Sequence, residues 1–506
     1  MSGFLIEEQK LEIRTFDNSI RFNSWMRLKS KTAKTEKDQN SIRLNFSNKS
    51  IKIEKIFVNK TFLNNKNDYK ILNNKKILAK TQLQNFAEVQ KAFTKILEKR
   101  KEGNLLINIP KSDCNLAQIE LDIVYSINLA KCKNDVGLKV EPKPNFQILS
   151  YNSNWIPKIE NEKSMKKFCL NFSCDDENIV VFNGEKTAQK RKAKKMTNFS
   201  FSSNFNNNFD YNKIRFVCGD FEQYFFVHEK TEFLFVYPKN KSINPESFKF
   251  VKRAIAVYED FLCTEYPFDR QYFCFVDKSV NPITNCHKLI VLDSKYLYSE
   301  KDIDLVFSSR KNIALAIAKN WCQKIFPPSS DQWISLALSE YLRSLFIADE
   351  FGPNFCEYRK FSSRFDWKND YVHHSLSNSN KTKLSNFDKN LEKRIRKKGF
   401  LILSLIEIII GKTEFKSFFK GLALSNEIVK TEKFEQNLIS KVPSRQIKDV
   451  FDNYIYNNNV PVYMVDISFD SRKRVVGLKM ENVSKNVLQK DFSFSKVLKI
   501  FKNDKF

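Results

Sequence analysis

The sequence predicts a multidomain α+β protein, and three observations carry that reading. Residues 1–240 consist of short runs of alternating apolar and polar residues separated by polar turns, as in half-buried strands. Over 241–458 apolar residues recur every three or four positions, the repeat of helices with one buried face. Alternation returns over 459–506. The expected organisation is therefore a β-rich segment 1–240, a mainly helical segment 241–458 and a β segment 459–506.

The early strands are read from IRLNFSNKSIKIEKIFVN, GNLLINIP and AQIELDIVYSINL, with KSKTAKTEKDQN, from Lys29, as an exposed loop. FCLNFSCDDENIVVFNGE reads as strand–turn–strand, ending in a turn at Asn183 and Gly184. KTAQKRKAKK follows, with Lys190, Arg191, Lys192, Lys194 and Lys195. A nuclear-import signal, a phosphate-contacting loop and a solvated hairpin loop all fit that charge run. SFSSNFNNNFDYN, from Ser200, reads as an irregular insertion.

Two apolar-periodic segments between Arg310 and Phe346 form the centre of the helical part. Ile313, Ile317 and Trp321 step by four in the first, and Leu338, Leu342 and Leu345 share one side of the second. Pro327 and Pro328 stop the first helix, and Ser330 or Asp331 can cap the next. KRIRKKGFLILSLIEIIIGKTEFKSFFKGLAL gives two more helices, with Gly411 as a C-cap. Within it Lys393, Arg394, Arg396, Lys397 and Lys398 are read either as a face for a polyanion or as a solvated helix start. FEQNLISKVPSRQIKDVFDNYIY predicts two helices, and PVYMVDISF an exit strand. No element is assigned to the polar stretch 366–392. About 45 residues are too few to complete a β-sandwich, so the last segment is expected to be a reduced domain or the start of a longer one.

Composition narrows the chemistry. Lys and Arg number 86 and Asp and Glu 58, a formal charge of +28. That excess favours polyanions, nucleic acid above all, although Lys, Asn, Ile and Phe are all abundant, as an AT-rich coding sequence also produces. The 4 histidines, His228, His287, His373 and His374, include no pair at i and i+4, so a His-based zinc protease is hard to build. The 10 cysteines form no CxxC pair, which fits buried thiols in a reducing compartment. MSGFLIEEQK has no signal-peptide pattern, and the apolar run Phe400–Ile410 contains Glu407 and is too short to span a bilayer. A soluble intracellular protein is expected.

The central helix pair resembles the active-site pair of the M1 (gluzincin) aminopeptidases, in which HExxH is followed two residues on by Trp and the next helix opens Asp-x-Trp. Trp321, Asp331, Trp333 and Tyr341 set the register. NSNWIPKIENEKS, from Asn152, is similar to the family's W-x-P segment, SFKFVKRAIAVYEDFLCTEYPFDRQYFCFVD to its leading helix, Y-P-F and strand, and FGPNFCEYRK continues the likeness. The resemblance implies a saddle-like N-terminal sheet domain, a thermolysin-like helical domain and the start of a C-terminal β domain. It also implies what is missing. The HExxH positions hold Leu315, Ala316, Ile317, Ala318 and Lys319, and the third-ligand position holds Leu336. The exopeptidase-loop carboxylate is replaced by Asn285 and the transition-state tyrosine by Arg396. None of these replacements ligates zinc or activates water.

Those losses, and the stretches DQWISLALSEYLRSLF, RKKGFLILSLIEIII and SFDSRKRVVGLKMEN, resemble the catalytically silent branch of that family, the aminopeptidase-like TBP-associated factors of transcription factor TFIID. Arg472, Lys473 and Arg474 resemble the R-K-R of its F-x-x-N-R-K-R strand, with Phe469 one residue nearer to them. The helical-repeat region that follows in that branch is not in this sequence. The resemblance implies a nuclear scaffold without catalysis or cofactor, partnered by TBP and other TFIID subunits, near core-promoter DNA and not on a membrane. The alternative is another inactive aminopeptidase-like protein-binding module; an active metallo-aminopeptidase is disfavoured. The candidate DNA- or partner-contacting residues are Lys190, Arg191, Lys192, Lys194, Lys195, Arg394, Arg396, Lys397 and Lys398. Lys319 has two readings, a cation standing where the metal would be or an ordinary solvent-facing lysine.

Overall fold

The computed structural model describes the chain apart from residues 1–3, 17–18, 31–40, 45–50, 64–67, 72–104, 114–115, 130–136, 142–145, 160–166, 193–194, 205–213, 242–244, 299–301, 327–329, 370–375, 377–388, 426, 442–444, 457–462, 471–474, 483–493 and 500–506. Most of the Lys29 loop, residues 205–212 of the Asn-rich insertion, the Pro327–Pro328 stop, most of the 366–392 stretch and Arg472, Lys473 and Arg474 lie outside the described residues. The start of that insertion, residues 200–204, is strand rather than irregular, paired with residues 167–171. The chain forms two compact units, one of residues 1–253 with 266–320, the other of 254–265 with 321–506.

The first unit is built on the alternation seen in its sequence. In strand Phe4–Phe16, Leu11 and Ile13 are fully buried while Lys10, Glu12 and Arg14 face out. An eight-stranded sheet runs in the order Glu185–Lys192, Met196–Asn204, Lys167–Asp175, Phe4–Phe16, Ser19–Ser30, Gln118–Asn128, Ile51–Val58, Thr61–Phe62. Trp155 sits in the core of this unit. Its indole donates to Ser150 Oγ at 2.9 Å and to the Asn152 carbonyl at 2.8 Å, and its ring meets Phe216 edge-on at 5.2 Å. The Trp-x-Pro segment thus anchors the connection out of the first sheet.

The expected strand–turn–strand after it is present, with a difference. Lys167–Asp175 joins the eight-stranded sheet, whereas Ile179–Phe182 joins a four-stranded one with Phe216–Gly219, Gln147–Ser150 and Leu138–Glu141. The turn therefore bridges two sheets rather than closing a hairpin. The unit also holds a three-stranded sheet, Ser41–Leu44, Leu105–Asn108 and Tyr69–Ile71, and a five-stranded one: Phe221–His228, Thr231–Pro238, Arg270–Val276, Leu289–Asp293 and Ile283–Cys286. Thr231–Pro238 pairs parallel with Arg270–Val276, which requires a crossover, and helix α1 (Lys249–Leu262) supplies it. Helix α2 (Ile303–Ile325) follows the last strand.

The second unit contains α3 (Gln332–Phe351), α4 (Pro353–Asn369), α5 (Lys389–Ile410), α6 (Lys412–Ser425) and α7 (Thr431–Lys441). A short helix, Arg445–Val450, widens into a helical turn, Phe451–Tyr456. Phe261, Tyr341, Phe415 and Phe419 form an aromatic cluster with centroids 4.9–6.2 Å apart. The β segment forms a three-stranded antiparallel sheet of Tyr463–Asp470, Val475–Asn482 and Phe494–Lys499. Gly411 ends α5 as expected, at φ +87°, donating its N–H to the Glu407 carbonyl at 2.8 Å.

Gly399 is fixed by packing. A Cβ there would lie 2.6 Å from Ala337 Cβ, so α5 and α3 approach too closely for any side chain. Gly399→Ala would gain up to about 1 kcal/mol of helix propensity. Overpacking against a rigid neighbour costs about 1–3 kcal/mol and wins. We expect a net loss of roughly 1–2 kcal/mol by urea unfolding, whereas Gly421→Ala, whose nearest atom is Lys441 Nζ at 3.7 Å, should not destabilise.

The eight described cysteines form no disulfide with one another, and six of them are buried. Among the described residues no helix is long and apolar enough to cross a membrane.

Candidate functional site

In the first unit, Leu315, Ala316, Ile317 and Ala318 are buried on α2 and Lys319 is half-buried. Apolar side chains therefore fill the first-ligand and base positions that the sequence resemblance implies, Leu315 and Ala316, and a half-buried lysine, Lys319, fills the second-ligand position. Asn285, on strand Ile283–Cys286, donates from Nδ2 to the Ala316 carbonyl and to Asn320 Oδ1 at 3.0 Å. The position aligned with the exopeptidase loop thus touches the backbone of the position aligned with the base.

Asn320 extends this contact into a network. Its Nδ2 donates to the His287 carbonyl at 2.6 Å and to Gln271 Oε1 at 3.2 Å. Tyr266 Oη also donates to Gln271 Oε1, at 2.8 Å, and Gln271 Nε2 donates to the Lys288 carbonyl at 2.9 Å. Gln271 and Asn320 are 0% and 1% exposed, and burial raises the Tyr266 phenol far above its ordinary value. The network is made of neutral amides and a protonated phenol. It satisfies buried polar groups and fastens α2 to the sheet. It offers no thiolate, imidazole or carboxylate to a metal.

In the second unit, Leu336 is half-buried on α3, and Trp321, Trp333 and Tyr341, which set the register, are buried. Asp331 immediately precedes α3 but makes no cap bond to it. Its carboxylate instead accepts from Thr431 N at 2.9 Å and Thr431 Oγ1 at 2.6 Å, at the first residue of α7. Trp333 Nε1 donates to the same hydroxyl at 2.9 Å, and Ser330 Oγ accepts from Val429 N at 3.0 Å. The residues expected to cap their own helix therefore bind the start of another.

Arg396 is turned inward. Its Nη1 donates to Glu340 Oε2, while Glu340 Oε1 accepts from Arg343 Nη2 and, at 3.3 Å, from Arg359 Nη2. Burial alone would raise the Glu340 carboxyl, but Arg343, Arg396 and Arg359 hold it well below the usual carboxylate range. Burial, opposed by Glu340 and reinforced by Arg359 and Arg396, pushes Arg343 down to about 10. Glu340, Arg343 and Arg359 were missed at the sequence level. The local signal is Glu340 and Arg343 three residues apart in a helix where Leu338, Tyr341 and Leu342 surround them with apolar positions.

The remaining basic candidates are spread around α5. Arg394, Lys397 and Lys398 are half-buried, and burial lowers Lys398 to about 8. In the first unit Lys190 and Arg191 are exposed on Glu185–Lys192, the edge strand of the eight-stranded sheet. Lys192 pairs with Met196 across the hairpin, and Lys195 is exposed in the turn at φ +54°. Lys194 lies outside the described residues. The charge run is thus mostly strand, where lysines also discourage edge-to-edge pairing.

No family model matches the chain. In sequence it is similar to transcription initiation factor TFIID subunit 2 from several species. Identity is 31% over 105 residues for the Schizosaccharomyces pombe protein, covering 20% of this chain and 9% of the relative. It is 25% over 283 residues for the Drosophila melanogaster protein, covering 51% and 22%, and 23% over 235 residues for the Saccharomyces cerevisiae protein, covering 43% and 17%. The chain therefore matches less than a quarter of those relatives' length. In fold it is similar to Legionella pneumophila aminopeptidase A, with TM-score 0.65, 13% identity, and 98% of this chain and 56% of that one covered. The M1 zinc metallopeptidase of Deinococcus radiodurans gives TM-score 0.60 at 9% identity, covering 91% and 96%. The fold is that of the M1 aminopeptidases.

Proposed function

We propose that this chain is a TFIID subunit of the subunit 2 type, a non-catalytic scaffold with an aminopeptidase fold that works in the nucleus. The observation that carries the reading is the recurrence of one protein, TFIID subunit 2, among relatives from fungi and animals. The apolar residues at Leu315, Ala316 and Leu336, and the neutral amide network at Asn285 and Asn320, support its non-catalytic half. On this reading the chain helps assemble the RNA polymerase II pre-initiation complex and engages core-promoter DNA.

The test is affinity purification of the tagged full chain from source nuclei, with mass spectrometry of what co-elutes. TBP and histone-fold TFIID subunits are the expected result. A clean preparation without them overturns the TFIID assignment and leaves an inactive aminopeptidase-like binding module. Stoichiometric zinc, with chelator-sensitive release of an amino-terminal residue, would overturn the non-catalytic half.

DNA engagement makes its own prediction. Lys190, Arg191 and Lys195, exposed at the sheet edge, are the described candidates in the first unit. Each phosphate contact contributes a slope of about 0.9 to the dependence of log K on log salt. Replacing all three by Ala should flatten that slope by about 2 to 3 in a DNA-binding titration. An unchanged slope removes this hairpin from the interface.

A further inference from the structure

Among the described residues, the cluster around Glu340 has more positive charge than its one carboxylate can balance. Three guanidiniums, those of Arg343, Arg359 and Arg396, meet one carboxylate. Side-chain exposures are 7%, 23% and 11% for the arginines and 3% for Glu340, so most of the excess is away from water. Each guanidinium has five N–H donors. Among the described residues, Glu340 accepts one hydrogen bond from each. Among the same residues, the Nε atoms of Arg343 and Arg396 are buried with no acceptor.

Buried charge is tolerated when it is paired and its donors are satisfied. The group that would do both here is a small oxyanion with several acceptor oxygens. The charge arithmetic selects its class: three positive groups less one negative leave an excess of two. A phosphate monoester or inorganic phosphate carries about −1.5 to −2 near neutral pH and three or more acceptor oxygens. Arginine suits this partner better than lysine would, because its planar fork meets two oxygens at once and is weakly hydrated.

We propose that Arg343, Arg359 and Arg396 form a phosphate-binding site, approached past Arg359, the most exposed of the three. Glu340 holds the guanidiniums together and leaves their outer donors for the anion. The site takes free phosphate or a phosphoryl group carried on a peptide. It does not depend on the TFIID assignment, and it stands or falls separately.

The experiment is calorimetric titration and thermal melting of the purified full chain with sodium phosphate, against sodium chloride at matched ionic strength. One saturable site and a rise in melting temperature beyond that in chloride are expected. Arg359→Gln should weaken phosphate binding at least tenfold, while Lys360→Gln, one residue along α4, leaves it unchanged. If Arg359→Gln does not fold, Arg396→Lys decides: it keeps the charge, loses the fork, and should still weaken binding. A short phosphoserine peptide in the same titration identifies the source. Tighter binding than phosphate points to a phosphorylated chain, and binding of phosphate alone to the free anion; either supports the site. No response beyond chloride, or an equal response in the folded arginine variants, overturns it.

Discussion

Glu340→Gln should destabilise the second unit by about 3–5 kcal/mol, because removing one partner of a buried ion cluster leaves the others uncompensated. Three arginines would then lie against a neutral amide, with Arg343 only 7% exposed. The shift in urea midpoint is about 1–2 M if the slope is near 2–3 kcal/mol/M. The effect has a definite pH dependence. The folded Glu340 carboxyl is held below its ordinary value, so its contribution is complete above the unfolded pKa of about 4.3 and is lost as pH falls toward the folded value. The gap between wild type and Glu340→Gln should therefore be full at pH 7 and should narrow below about pH 4. A gap that stays constant from pH 7 to pH 3 would mean that ionisation of Glu340 is not what stabilises the cluster.

The contrast between Glu340 and the ligand positions shows which parts of this chain can be read from sequence. Leu315, Ala316 and Leu336 need no structure: once Trp321 and Trp333 set the register, residue chemistry excludes zinc. Strand and helix periods are equally local, and the alternation in Phe4–Phe16 and the Gly411 cap both appear as expected. What fails is partner choice across long separations. Arg396 reaches Glu340 over 56 residues, and Asn285 reaches Asn320 over 35. No local rule distinguishes an arginine that will be buried against a carboxylate from one on a solvated helix start. The sequence therefore groups Arg396 with Lys393, Arg394, Lys397 and Lys398, as a face for a polyanion or a solvated helix start, although folding turns it inward. Likewise the run from Lys190 announces charge, but its place on an edge strand follows from pairing with Met196–Asn204 and from the sheet order beyond it.

Asp331→Ala carries the second large expected effect, and it tests a capping bond that the local rule assigns to the wrong helix. The sequence rule places an N-cap at Asp331, and α3 does begin at Gln332. If the carboxylate capped its own helix, its removal would cost about 1 kcal/mol. Here it accepts from the backbone and the hydroxyl of Thr431, which is fully buried, and from Lys430 Nζ at 3.3 Å. Removing it leaves the Thr431 N–H without that acceptor in a dry site, and an unmet buried donor costs about 1–3 kcal/mol. The hydroxyl still accepts from Trp333 but loses its own acceptor. The two losses together should give about 2–4 kcal/mol, well above a simple cap. Asp331→Asn discriminates further: both Thr431 bonds end on one oxygen, Oδ2, so an amide oxygen in its place can accept both, and the variant should recover most of the loss. A loss near 1 kcal/mol for Ala, with Asn no better, would show that the α3–α7 tie is not what this residue contributes.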